Sequence, residues 1–278
     1  MKKRILGGAI VVLILGAVLY FGGLATVILF PAMSLAAVSE LDRALRQKGH
    51  KLFIVTLVLC AAAWYAFLAL RPIVMQETAI APGLIALTGL LFTMTAVLTA
   101  VLYPRRTVPD AAFTLFGFVY AVLSLSAVFV IRQRENGLLY SIFVFVLAWS
   151  SDIFAYLFGS LFGKKKVFPE LSPHKTRIGV IGAMLGTAAA SVAFGLLTRS
   201  LWGLSTGGCI ALTAAAGLVG SVLAQAGDLL ASAVKRYAGI KDFGNLIPGH
   251  GGILDRFDSV LLVAPAVELL LCIMEAIK

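Results

Sequence analysis

Segment 241–258, KDFGNLIPGHGGILDRFD, concentrates acidic, basic and glycine residues in a chain that is otherwise apolar. Asp255 and Asp258 are three residues apart, so a helix that begins there would carry both carboxylates on one face. Asp228, in the apolar run before this segment, could supply a third carboxylate. Because Mg²⁺ prefers oxygen ligands of this kind, the pattern predicts a metal site formed by Asp228, Asp255 and Asp258.

Basic side chains accompany these carboxylates at Lys235, Arg236, Lys241 and Arg256. A nucleoside triphosphate bound with magnesium suits such a mixture, since its phosphate oxygens meet the basic groups while its metal meets the carboxylates. Gly249, Gly251 and Gly252 would also let backbone N–H groups approach a phosphate, because glycine has no Cβ in the way. The segment therefore predicts a phosphoryl-type transfer, which is catalysed mainly by positioning and charge neutralisation.

The composition of the chain indicates where this chemistry takes place. Hydrophobic residues make up 60% of the 278 residues and charged residues only 13%, too few to cover a water-soluble globule of this size. The net charge of +10 is scattered between apolar runs, which excludes a nucleic-acid-binding domain and favours anionic lipid or an anionic substrate. The apolar runs lack the alternation of a membrane barrel, so an all-α, polytopic integral membrane protein without a soluble domain is predicted.

Apolar runs long enough to cross a bilayer predict about nine transmembrane helices. Residues 5–38 are too long for one upright helix, and Gly22 and Gly23 could divide them into a hairpin. With the N-terminus in the cytoplasm, 18 of the 23 Lys and Arg residues then lie on the cytoplasmic side, as expected for this class. The remaining predicted spans lie at about 52–70, 79–103, 110–131, 136–163, 178–198, 203–234 and 259–277.

This topology places the two most charged late loops, 164–177 and 235–258, on the same cytoplasmic side, where they can share one site. Residues 1–131 are predicted to form a transmembrane scaffold of about five helices, and residues 132–278 a catalytic region. Loop 40–51 is interpreted as an ordinary solvated loop.

Asp152 and Asp228 are functional candidates because an ionisable group inside a span is costly unless it is paired or hydrated. Simpler roles stay open for several polar residues. Asp228 could be the buried partner of a lysine, Asp152 a structural cap or pair, and His250 a hydrogen bonder within its loop. The lysines at 164–166 could anchor the chain to anionic lipid.

Residues 232–258 resemble the signature of the phosphatidate cytidylyltransferase family. Three shorter segments also resemble motifs of this family and occur in the expected order: DIFAYLFG at 152–159, SPHKT at 172–176 and GD at 227–228. The first half of the chain is similar only in its hydropathy. The signature positions are Ser232, Lys235, Arg236, Lys241, Asp242, Gly244, Pro248, His250, Gly251, Gly252, Asp255, Arg256 and Asp258.

The resemblance implies a membrane enzyme, working as a homodimer, that condenses CTP with phosphatidic acid to CDP-diacylglycerol and pyrophosphate. The lipid phosphate would attack the α-phosphorus of CTP in line, beside a two-cation site that includes Mg²⁺ and is held by Asp228, Asp255 and Asp258. We expect the active site to face the cytoplasm at the plasma membrane. The residues implied in phosphate or nucleotide binding are Ser172, Lys175, Thr176, Ser232, Lys235, Arg236, Lys241, Asp242, His250, Gly251, Gly252 and Arg256.

One departure from the family pattern concerns the residues after SPHKT. Many members carry an aromatic residue and a glutamate there, whereas Arg177 and Ile178 precede Gly179 in this chain. A role of that glutamate in binding metal or ribose is therefore not expected at these positions, and a neighbouring acid could take its place.

Two other functions fit parts of the pattern. A CTP-dependent lipid kinase acting on a prenol or similar alcohol would transfer the γ-phosphate and release CDP. A secondary transporter could use Asp152 and Asp228 as ion or proton ligands at broken helices, although such sites normally lie near the middle of the membrane.

Overall fold

The computed structural model describes residues 2–74, 80–246 and 251–277, and in these ranges the chain is almost entirely helical. The helices are α1 (Lys2–Phe21), α2 (Gly23–Arg46), α3 (Ile54–Val74), α4 (Ile80–Leu102), α5 (Val108–Gly117), α6 (Ser124–Gln133), α7 (Gly137–Phe162), α8 (Arg177–Leu197), α9 (Arg199–Trp202), α10 (Thr206–Ala238) and α11 (Leu254–Ile277). A π-helical turn at Phe118–Leu123 joins α5 to α6. Two strands, β1 (Lys166–Phe168) and β2 (Ser172–Thr176), form a small antiparallel pair.

Eight helical stretches of the described ranges are long and apolar enough to cross a membrane, and α5 and α6 together form one of them. The apolar part of α1, Gly7–Phe21, is shorter. The break predicted near Gly22 is present, because Gly22 has a φ of 64° and separates α1 from α2. The all-α polytopic prediction is therefore confirmed, and the predicted count of about nine is close to the eight long stretches of the described ranges.

The chain divides into two compact units. The first comprises Met1–Val130 and Tyr237–Asp255, and the second comprises Ile131–Arg236 and Arg256–Lys278. Most of the charged loop 235–258 thus belongs to the first unit by its contacts. The proposed functional division into a scaffold at 1–131 and a catalytic region at 132–278 stays a prediction.

In the first unit, buried aspartates hold the connections between helices. Asp42 accepts a hydrogen bond from the backbone N–H of Leu52 at 3.1 Å. Asp110 accepts from the backbone N–H groups of Lys51 at 2.8 Å and Thr107 at 2.9 Å, and thereby caps the start of α5. Each of these carboxylates accepts hydrogen bonds from backbone N–H groups that have no acceptor within a helix, which is a common structural role of a buried acid.

In the second unit, glycines let the helices approach one another closely. A Cβ added to Gly182 or Gly186 of α8 would overlap the ring of Phe158 or Phe154 on α7. Small residues of this kind are enriched where membrane helices pack tightly, since lipid supplies no hydrophobic force between helices. The glycine pattern therefore sets how close α7 and α8 lie, and α7 carries Asp152.

Candidate active site

Three aspartates of the second unit lie close enough to interact electrostatically. Asp152 is on α7, Asp228 on α10 and Asp258 on α11. Asp228 repels both of the others, and Asp152 also repels Asp258. The structure thus brings together Asp228 and Asp258, two of the predicted metal ligands, and adds Asp152, which sequence reasoning had kept as a further candidate.

Gly227 explains how α10 comes so near to α11 at this point. A Cβ on Gly227 would overlap the backbone carbonyl oxygen of Asp258. Because this contact involves backbone, it cannot be relieved by rotating a side chain. The GD pair at 227–228 therefore combines the residue that permits the approach with the carboxylate that the approach places beside Asp258.

Lys175 supplies positive charge to the cluster. Its Nζ lies 2.7 Å from Oδ2 of Asp228 and also donates to the backbone carbonyl of Gln225 at 3.2 Å. The side chain of Asp228 remains 32% exposed, whereas that of Lys175 is mostly covered. Asp228 is thus the partner of a lysine, as the simpler interpretation held, but its side chain is only half-buried and the contact lies inside the aspartate cluster.

Ser259 lies between the other two aspartates. Its hydroxyl donates to Oδ2 of Asp152 at 3.2 Å, and its backbone N–H donates to Oδ1 of Asp258 at 2.7 Å. Ser259 is itself buried at the start of α11. Sequence reasoning missed this residue, because a serine beside a signature position carries no distinctive signal of its own.

The strand pair in loop 164–177 carries the predicted phosphate-binding residues. Ser172 begins β2, and Thr176 ends it immediately before α8. The Thr176 hydroxyl accepts a hydrogen bond from the backbone N–H of Gly179 at 3.1 Å, so it caps α8. The sequence predicts that Thr176 binds phosphate and does not predict a structural role for it. Its role as a ligand stays a prediction beside this structural one.

Further basic side chains act on the same aspartates. Lys235 attracts Asp258, while Lys175 and Arg256 attract Asp152. Arg236 is exposed near the end of α10, and Ser232 is half-buried one turn earlier. Their assignment to catalysis and substrate binding stays a prediction.

The remaining signature residues belong to the first unit. Asp255 accepts hydrogen bonds at Oδ2 from the backbone N–H groups of Phe243 at 2.8 Å and Gly252 at 3.0 Å. Gly251 has a φ of 80°, a conformation that favours glycine. Lys241 and Asp242 are exposed. The predicted binding residue His250, with its neighbours Pro248 and Gly249, lies outside the described residues.

Glu40 is a functional candidate that sequence reasoning missed. It was assigned to the solvated loop 40–51, which was wrong for its first part, because α2 continues to Arg46 and Glu40 is only 3% exposed. Its carboxylate accepts from the backbone N–H groups of Ile253 at 2.9 Å and Leu254 at 3.0 Å. The position of this acid next to an apolar run could have indicated that it is buried, but the charged residues that follow it suggested a solvated loop.

Within the ranges that the structure describes, no three His, Cys, Asp or Glu side chains are grouped tightly enough to enclose a metal ion. The predicted ligand set of Asp228, Asp255 and Asp258 thus stays a prediction. The donor chemistry of Asp228 and Asp258 nevertheless suits a hard divalent cation, since both side chains present carboxyl oxygens, the ligands that such cations prefer.

The comparison with known families decides the membership of this chain. The model of the cytidylyltransferase family matches residues 2–274. The chain belongs to this family. A phosphatidate cytidylyltransferase of Staphylococcus epidermidis is 33% identical over 98% of this chain and 99% of its own length. Proteins of the same name from Staphylococcus aureus and Staphylococcus haemolyticus are each 32% identical with the same coverage.

The family match extends well beyond the motifs recognised in the sequence. It includes α1 to α6, where only the hydropathy of the chain pointed to the family. Glu40 therefore lies inside the matched range, and it contacts Ile253 and Leu254, which stand between the signature positions Gly252 and Asp255.

Proposed function

We propose that the protein transfers the CMP group of CTP to phosphatidic acid and so forms CDP-diacylglycerol and pyrophosphate. The names of its relatives support this reaction. The observation that carries it is the aspartate cluster of the second unit, in which Asp152, Asp228 and Asp258 interact and Lys175 is paired with Asp228. Such a cluster suits substrates that bring phosphates and divalent cations together.

In the proposed reaction, an oxygen of the lipid phosphate forms a bond to the α-phosphorus of CTP. The bond from that phosphorus to the bridging oxygen breaks, and pyrophosphate leaves with the electron pair. The attacking phosphate is already anionic near neutral pH, so no side chain has to act as a strong base. The task of the protein is therefore to hold two mutually repelling anions in line.

Basic side chains perform part of this task. Lys175, Lys235 and Arg256, whose charges act on the aspartates, would neutralise phosphate oxygens, and Arg236 would assist at the end of α10. Ser172, Thr176, Ser232, Lys241, Asp242, His250, Gly251 and Gly252 are the further residues that we expect to contact CTP or the lipid.

Asp228 and Asp258, with Asp255 as the third predicted ligand, would hold Mg²⁺ and a second cation. When bound, a divalent cation neutralises phosphate charge and stabilises the leaving pyrophosphate. The Lys175 contact takes up Oδ2 of Asp228, and the Ser259 amide takes up Oδ1 of Asp258, so each contact orients its carboxylate.

We further propose that the active site faces the cytoplasm at the plasma membrane and that the protein works as a homodimer. The distribution of Lys and Arg along the sequence supports the cytoplasmic side, because it places loops 164–177 and 235–258 there together. The homodimer rests on the family resemblance alone, and crosslinking in native membranes would test it.

The reaction is tested by incubating detergent-purified protein with CTP, Mg²⁺ and phosphatidic acid. We expect CDP-diacylglycerol by lipid mass spectrometry, equimolar pyrophosphate, and loss of both after chelation of the metal. Release of CDP with phosphorylation of a lipid alcohol would instead identify the kinase, and absence of any CTP-dependent product would reject the proposed function.

The cluster is tested by Asp258→Asn, which keeps the size of the side chain but removes its charge. We expect kcat/KM to fall by at least about a hundredfold, because the residue would help to hold the cation that neutralises phosphate charge in the transition state. Glu268→Gln is the matched control on the same helix, where the carboxylate pairs with Arg134. Equal activity in wild type and Asp258→Asn would remove the aspartate cluster from the mechanism.

A further inference from the structure

Glu40 forms an unusual contact within the first unit. Its two carboxylate oxygens accept separate hydrogen bonds from the consecutive backbone N–H groups of Ile253 and Leu254, at 2.9 and 3.0 Å. These amides lie at the start of α11, where no preceding turn of helix can accept them. A side chain from α2 thus completes the start of a helix more than 200 residues later in the chain.

Two signature glycines make room for the same carboxylate. A Cβ on Gly244 would lie 2.9 Å from Oε1 of Glu40, and a Cβ on Gly252 would overlap the carboxylate itself. Neither glycine has a positive φ, so backbone conformation does not require glycine at these positions. Close approach to Glu40 is therefore the physical reason for glycine at 244 and 252 in this structure.

Asp255 binds two further backbone amides of the same segment. Its Oδ2 accepts from the backbone N–H groups of Phe243 and Gly252. Glu40 and Asp255 together hold four backbone amides, those of Phe243, Gly252, Ile253 and Leu254. We name these two carboxylates and four amides the carboxylate clamp. The clamp lies entirely in the first unit.

We propose that Glu40 is a positioning residue for the transfer of CMP, a role that rests on the proposed function. Both of its oxygens are used by backbone amides, so it acts through the clamp. A segment rich in glycine has many conformations available, and holding it in one of them removes an entropic cost from substrate binding. Reactions that depend on positioning lose rate when a reacting group is misplaced by about 1 Å, even by a change far from the chemistry.

The experiment compares Glu40→Gln with wild type. Glutamine keeps the shape of the side chain, but its NH₂ group must face one of the two amide N–H donors, so one hydrogen bond is replaced by a repulsive contact. We expect kcat/KM for CTP to fall by about tenfold. Hydrogen exchange, followed by mass spectrometry, should be faster at the four clamp amides than in wild type.

Asp42→Asn is the matched control. Asp42 is on the same helix, is 8% exposed and accepts hydrogen bonds from the backbone N–H of Leu52 and from Nε of Arg46, neither of which is a signature residue. We expect its kcat/KM to stay within about twofold of wild type, while hydrogen exchange rises at Leu52 instead. An equal loss of activity in both variants would indicate a general effect on the fold and would overturn the positioning role.

Gly244→Ala perturbs the same contact while Glu40 itself is unchanged. It replaces Glu40→Gln as the test if that variant does not fold. Its added Cβ would push on Oε1, so we expect lower kcat/KM and faster exchange at Ile253 and Leu254. Unchanged activity in a folded Gly244→Ala or Glu40→Gln protein, beside an active wild type, would overturn the inference. A wild type without CDP-diacylglycerol synthesis would reject the proposed function instead, which separates the two failures.

Discussion

The carboxylates of the two units have different partners. In the first unit, Glu40 and Asp255 accept hydrogen bonds from backbone amides, as Asp42 and Asp110 do in the connections between helices. In the second unit, Asp152, Asp228 and Asp258 repel one another, and the contacts described for them come from the Lys175 ammonium group and from the hydroxyl and backbone N–H of Ser259.

This difference separates acids that support the structure from acids that suit ligands. An acid whose oxygens receive backbone N–H groups is satisfied by the fold and stabilises a defined loop. Several acids grouped together repel one another, and basic side chains, divalent cations or complexes of cations with phosphates can relieve that repulsion. The comparison therefore favours the aspartates of the second unit as cation ligands, whereas Glu40 and Asp255 of the first unit already accept hydrogen bonds from backbone amides.

The largest effect expected beyond Asp258→Asn is that of Lys175→Gln. The change removes the ion pair with Asp228 and a positive charge from the phosphate site, so we expect kcat/KM to fall by about a hundredfold. Lys166→Gln, on the exposed face of the paired strand, is the control and should stay near wild type. An equal loss of kcat/KM in the two variants would show that the strand pair β1–β2 contributes positive charge in general and that the Lys175 contact is not specifically required.

Asp255→Asn tests whether this signature acid belongs with the first unit's structural carboxylates. We expect a loss of about tenfold in kcat/KM, together with faster hydrogen exchange at the amides of Phe243 and Gly252. Asp258→Asn should leave the exchange of those two amides unchanged. Slow exchange in the Asp255 variant, with activity lost as completely as in the Asp258 variant, would place Asp255 with the metal ligands alone.

Gly227→Ala is expected to have the smallest effect on chemistry and a clear effect on packing. The added Cβ meets the Asp258 carbonyl, so we expect a loss of about 1–3 kcal/mol in the free energy of unfolding and a modest loss of activity. Gly207→Ala, on the same helix with no atom within 4 Å, should unfold like wild type. Thermal denaturation in detergent measures both, and identical midpoints would contradict the close approach of α10 and α11.

Several features of this protein follow from sequence because they depend on local properties of the chain. The membrane-spanning helices follow from apolar runs, since a backbone in lipid must satisfy its own hydrogen bonds. The break at Gly22 follows from adjacent glycines near the middle of a run too long for one span. The proximity of Asp228 to Asp258 was predicted from their places on successive helices and is borne out by their electrostatic interaction.

The hydrogen-bond partners of the polar side chains were decided by the tertiary structure. The sequence placed Glu40 in a solvated loop, whereas the fold buries it against Ile253 and Leu254. Thr176 was predicted to bind phosphate, and the fold uses its hydroxyl to cap α8. Hydropathy and helix formation are properties of neighbouring residues, but a hydrogen bond across more than 200 residues exists only after helices have packed, so no local pattern could reveal it.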